Sequence, residues 1–150
     1  GVGRGEGYNM NIPLPPGGGH NLYLEVMERL VLPRLRIFKP DIIIIACGFD
    51  ASAIDPLARM LATSETFGEL TKLAMFAADE LCDNRLAMIH EGGYSEVYVP
   101  FCGHRVIEEM TGSSIIAEDP YKMIFEARQP NEKLNQFYSN LITEYHDFLL

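Results

Sequence analysis

Basic residues are scarce in this chain. Twelve Lys and Arg stand against 21 Asp and Glu among 150 residues, a formal charge of −9. Nothing basic is clustered to meet phosphates, which argues against a nucleic-acid-binding surface. An acidic surface would still attract a cationic substrate. Cysteine is sparse too. Cys47, Cys82 and Cys102 are odd in number and lack C-x-x-C spacing, so they read as reduced thiols of a cytoplasmic protein rather than a disulfide framework. No run nears the roughly 20 apolar residues of a membrane span, and no signal-peptide pattern opens the chain. An initiating Met is missing as well: Gly1-Val2-Gly3-Arg4-Gly5 reads as loop interior, and a piece of a longer protein is expected. The histidines His20, His90, His104 and His146 show neither H-x-x-x-H nor D-x-H spacing. Gly17-Gly18-Gly19 fits neither phosphate-loop spacing and reads as a flexible rim loop.

What is present is an ordinary globular composition, 47% hydrophobic and 22% charged, long enough to bury a real core in one domain. Four consecutive isoleucines, Ile42 to Ile45, show no alternation and predict a strand over 42–47 covered on both faces, as in a parallel sheet. A second strand is expected over 86–89 and a third, short one over 8–14. Helical periodicity covers 22–38, with Pro33 expected to kink it or to mark a fresh first turn. Further helices are expected over 64–82, capped by Ser64 or Thr66, over 95–110, interrupted or started near Pro100 and stopped by Thr111-Gly112, and over 131–149. The last carries Leu134, Phe137, Leu141, Tyr145 and Phe148 on an apolar face for its own domain or another subunit. Strand and helix alternate, so the fold class is α/β, a mostly parallel sheet flanked by helices. Three strands are few for such a sheet, which also suits a partial fold.

Chemistry is expected where the strands end. Ligands of open α/β sheets bind outside the carboxyl ends of the strands. Gly48-Phe49-Asp50-Ala51 follows the first of these ends and Glu91-Gly92-Gly93-Tyr94 the second. A carboxylate such as Asp50 suits a metal; it could equally cap a turn or pair with a buried donor. Glycines let the backbone approach a ligand, and a phenol held beside them could donate to a developing oxyanion. Tyr94 could instead pack its ring under the next helix. His90 could reach the same crevice, although a satisfied core histidine is the simpler reading. Cys47 reads as a small buried apolar residue.

Taken together, these segments resemble the histone deacetylase superfamily, in particular its bacterial amidohydrolase-like and class II branches. The similar stretches are Asn9-Met10-Asn11-Ile12-Pro13-Leu14-Pro15-Pro16-Gly17, Val31-Leu32-Pro33, Phe38-Lys39-Pro40-Asp41-Ile42-Ile43, Gly48-Phe49-Asp50-Ala51, Asp55-Pro56-Leu57 and Glu91-Gly92-Gly93-Tyr94. Their order matches the C-terminal half of that domain, best over residues 5–112, with residues 113–150 as a helical extension. The resemblance implies an arginase/deacetylase-like fold and amide hydrolysis by water on Zn²⁺. It makes Asp50 one metal ligand and Tyr94 the residue that polarises the substrate carbonyl. It places Gly92, Gly93 and Leu57 along the acyl channel. His20 stands where relatives commonly carry a small or acidic residue.

The family's D-x-H ligands and tandem histidines have no counterpart here, so the remaining zinc ligands are expected from a missing N-terminal half and the chain alone is expected to be inactive. Acetylated lysine, a polyamine or a similar small amide is the expected substrate class, with no direct nucleic-acid or membrane partner. The alternatives are a truncated, non-catalytic interaction module of the same fold and a flavodoxin-like nucleotide binder. The latter would use Gly17–Gly19 but lacks a phosphate-loop lysine.

Overall fold

The computed structural model describes residues 2–149. Two strands, β1 (Ile43–Cys47) and β2 (Leu86–His90), pair in parallel with Ile43 opposite Leu86 and Cys47 opposite His90. Parallel neighbours need a crossover, which is α3 (Ser64–Cys82), the longest helix. Before β1 the chain forms α1 (His20–Val26), a π-helical turn (Met27–Val31) and α2 (Leu32–Phe38). After β2 come α4 (Val99–Thr111), the short α5 (Lys122–Glu126) and α6 (Glu132–Leu149).

The helices cover one face of the sheet. Ile43 packs with Leu32, Ala77, Ala78 and Cys82, while Cys47 joins Phe49, Phe67, Tyr98, Cys102 and Phe125. The opposite face is open among the described residues: Ile44 is 60% and Ile89 53% exposed. The expectation of two covered faces is therefore met on one side only, because alternate residues of β1 find no packing partner here.

Several expected elements are redrawn. Residues 8–14 form no strand. Ile12 and Leu14 instead pack on Leu22, Val26, Leu30, Tyr138 and Ile142, so this segment lies on helices, away from the sheet edge that would pair it. Pro33 meets the second of its two expected outcomes and marks a fresh first turn, without breaking the helix. A π-helical turn widens the hydrogen-bond spacing just before the proline, whose missing N–H then falls in the first turn of α2. Lys39 closes α2 with φ 55° and its N–H on the Leu35 carbonyl at 2.8 Å. Neither Ser64 nor Thr66 caps α3. Thr63 does, accepting from the Thr66 N–H at 3.3 Å, while the Thr66 hydroxyl accepts from the Thr63 N–H at 2.9 Å. This reciprocal pair satisfies two otherwise orphaned donors. Residues 95–98 form a turn, and α4 begins at Val99 with Pro100 in its first turn, the expected start near that proline. Gly112, at φ 63°, ends α4 where expected.

Gly17–Gly19 is a packed connection rather than a flexible rim. Gly18 and Gly19 are buried, Gly17 N–H bonds the Arg59 carbonyl at 2.7 Å, and a Cβ on Gly18 would meet Leu22 at 2.4 Å. The face of α6 that docks on α1 is centred on Tyr138 and Ile142, with Tyr145 beside them. Phe137 and Phe148 point to solvent.

Candidate active site

Parallel pairing continues past the strands and sets the site. The Glu91 N–H reaches the Cys47 carbonyl at 3.3 Å, and the Phe49 N–H reaches the Gly92 carbonyl at 2.8 Å. These bonds bring Gly48–Asp50 and Gly92–Tyr94 side by side at the carboxyl end of the sheet. Phe49 anchors the first loop. Its ring is buried edge-on against Phe67, with centroids 5.1 Å apart.

Gly92 lies between the two proposed reactive groups. A Cβ built there would meet the Asp50 Oδ2 at 2.7 Å and the Tyr94 hydroxyl at 3.4 Å, which bounds the carboxylate-to-phenol separation at about 6 Å. Any side chain at Gly92 would fill that space. Gly93 is required for a different reason: its φ of +124° is a conformation that side chains disfavour, and a Cβ there would lie 3.0 Å from both Phe49 and Val99. Asp50 is half-buried and Tyr94 is 57% exposed. Among the described residues, neither the carboxylate nor the phenol has a hydrogen-bond or ion-pair partner, so both are available to a ligand.

Leu57 is 72% exposed on the turn after Asp55. That turn touches the Tyr94 loop through one side chain that motif reading quoted but gave no role. Asp55 is buried, its Oδ1 accepts from the N–H groups of Leu57 at 2.8 Å and Ala58 at 3.1 Å, and its Oδ2 accepts from the Tyr94 N–H at 2.8 Å. Tyr23 of α1 was missed as well. Burial, and after it the Asp50 charge, pushes its phenol up to about 12. It lines a cavity of about 250 Å³ together with Met27, Gly48, Ala51 and Phe67. Only its helical position was legible beforehand.

The histidines lie elsewhere. His90 is exposed rather than buried in the core, its ring 5.3 Å from that of Phe49. It shares the helix-covered face of β2 with Met88 and lines an open cavity of about 520 Å³ with Phe49, Val99 and His104, so it is reached by solvent. His20 opens α1 with its Nδ1 3.0 Å from the Thr66 hydroxyl, facing α3 rather than a rim. Cys47 is buried as expected, and burial raises its thiol pKa. Among the described residues no three His, Cys, Asp or Glu side chains converge as a metal site. Asp50 fits a single hard-oxygen ligand position. No described helix is long and apolar enough to cross a membrane.

Parallel strands joined by a helical crossover define the class, an α/β domain, and an acidic group and a phenol flank a glycine at the carboxyl edge of its sheet. Residues 1–110 match the histone deacetylase domain family, and the chain belongs to it. A histone deacetylase-like amidohydrolase of Pseudomonas aeruginosa is 48% identical over 141 residues, covering 94% of this chain and 37% of the relative. A probable deacetylase of Archaeoglobus fulgidus is 38% identical over 118 residues, covering 78% of this chain and 33% of the relative. The solved structure of the histone deacetylase Clr3 superposes over 100% of this chain and 23% of its own, with a TM-score of 0.75 at 26% identity. The HD domain of HDA15 gives 0.66 at 28% identity, covering 95% and 38%. The chain thus spans little more than a third of the curated relatives' length.

Proposed function

We propose that this chain is the C-terminal portion of a zinc-dependent deacetylase domain that removes acetyl or acyl groups from lysine or polyamine-type amines, and that it is inactive alone. The observation that carries this reading is the Gly92 gap, which leaves the Asp50 carboxylate and the Tyr94 hydroxyl adjacent and unengaged. Asp50 supplies one ligand to Zn²⁺, the others coming from the N-terminal half. Zinc bound there supplies Lewis acidity and an activated water. The Tyr94 hydroxyl donates to the substrate carbonyl oxygen and holds that hydrogen bond more strongly as negative charge develops. Gly92 and Gly93 leave room for the acyl group, and Leu57 lines the approach.

The open sheet face supports the missing half as this chain's first partner. Ile44 and Ile89 are apolar, exposed and contiguous across β1 and β2, through Ala46 beside Ile89 and Ala87 beside Ile44. Such a face calls for cover. The proposal places the protein in the cytoplasm and gives it no nucleic-acid or membrane partner.

The test compares this chain alone with the full-length domain that contains it. Zinc content and hydrolysis of acetyl-lysine peptide and acetylpolyamine are measured on both. About one zinc per full-length domain with hydrolysis, and neither for the isolated chain, supports the reading. A full-length protein that binds a protein partner but holds no zinc and hydrolyses neither substrate replaces it with the interaction-module reading.

A further inference from the structure

We propose that Asp55 is a positioning residue for Tyr94, a buried carboxylate that ties the Leu57 turn to the phenol's backbone. The inference rests on Tyr94 being the oxyanion donor. Asp55 is 8% exposed, and its carboxylate takes three backbone N–H groups, two on Oδ1 and one on Oδ2. Burying a carboxylate is costly unless it is well hydrogen-bonded, so the identity of this side chain needs a reason.

The turn does not supply that reason. Oδ1 alone satisfies Leu57 and Ala58, in an arrangement that an asparagine oxygen would reproduce. The second oxygen reaches across the crevice to the Tyr94 N–H at 2.8 Å. Asparagine would turn its NH₂ toward that N–H, donor against donor, whereas a carboxylate accepts on both sides. Charge-assisted bonds of this kind are short and directional. The tie is needed because the Tyr94 loop is otherwise lightly held: its ring is 57% exposed and it follows Gly93 at φ +124°. A displacement of about 1 Å in a catalytic group can cost about a hundredfold in rate. Asp55 therefore fixes where the Tyr94 hydroxyl points, and through Oδ1 it couples that aim to the turn carrying Leu57.

The test uses Asp55→Asn, Tyr94→Phe and the double variant in the full-length domain, reading kcat, KM, zinc content and amide hydrogen exchange over residues 91–97. We expect Asp55→Asn to lower kcat by about 10- to 100-fold and to change KM by less than about threefold. Zinc content should stay at the unmodified level, which also shows that the variant folds, and exchange over 91–97 should be faster. In the Tyr94→Phe background Asp55→Asn should cost less than about twofold, because the group it aims is gone. Equal losses in both backgrounds, unchanged exchange over 91–97, or loss of zinc would overturn the positioning role while leaving Tyr94 as the donor. If Tyr94→Phe alone leaves kcat unchanged, the donor assignment fails first and the inference falls with it.

Discussion

Asp50 and Asp55 lie five residues apart in the connection between β1 and α3, and the structure treats them in opposite ways. Asp55 is buried with both oxygens occupied by backbone donors. Asp50 is half-buried and, among the described residues, holds no hydrogen bond or ion pair; its Oδ2 faces the gap left by Gly92. Identical side chains thus divide two jobs. A carboxylate saturated by N–H groups is architecture, since it has nothing left to offer a ligand. A carboxylate left open beside a glycine is available to an external cation. The difference teaches that hydrogen-bond occupancy, more than residue type or proximity, separates a structural acid from a candidate ligand in this chain's strand-end loop.

The largest expected effect lies on the open side of this contrast. Asp50→Asn in the full-length domain should abolish zinc retention and hydrolysis together, yet change the stability of the zinc-free domain by no more than about 0.5 kcal/mol, because no intramolecular partner is lost. Metal analysis and denaturant melts check both halves; a large stability loss with zinc retained would break the comparison. Tyr94→Phe should come next, lowering kcat by about 10²- to 10³-fold with KM nearly unchanged, as steady-state kinetics would show. On the occupied side, Asp55→Ala strips three part-buried backbone N–H groups of their acceptor and should destabilise by about 1–3 kcal/mol, measured by chemical denaturation. If Asp50→Ala cost as much, the distinction between the two acids would disappear.

The smallest effect sharpens the contrast through Tyr23. Its phenol is raised to about 12 by burial first and by the Asp50 charge second. Below pH 10 the group is neutral in both folded and unfolded chains. Between pH 10 and about 12 the unfolded chain loses the proton and the folded chain keeps it, so stability falls as pH rises across that window. Alkaline unfolding should show this slope. Asp50→Asn should narrow the window from its upper end, whereas Asp55→Asn should leave it in place.

Much of this was legible in local patterns. The 3.6-residue spacing of Phe67, Leu70, Ala74 and Ala77 marks α3, and the structure has it within the expected limits. The isoleucine run marks β1, and Gly112 marks the end of α4. Local pattern failed where the answer depended on a distant partner. Residues 8–14 have strand-like composition, but a strand exists only if a ladder accepts it, and Ile12 and Leu14 found helices instead. Thr63 outcompeted Ser64 and Thr66 as the cap because Ser64 is turned to Asp119, with its Oγ donating at 2.6 Å. The three hydroxyls are indistinguishable until that contact forms. The buried Tyr98, whose hydroxyl also donates to Asp119 at 2.8 Å and whose pKa burial drives upward, ties the region after α4 to the start of α3 in the same way.

The amino-acid sequence by itself determined the longer helices, the two paired strands, the glycines at the strand ends and membership of the deacetylase family, because periodicity, turn chemistry and ordered motifs are properties of neighbours along the chain. Only the tertiary structure decided which aspartate is occupied and which is open. The 39-residue separation between Asp55 and Tyr94, like the meeting of Asp50 with Gly92, is closed by parallel strand pairing. Hydrogen-bond occupancy is a relation between groups that become neighbours only when that pairing forms.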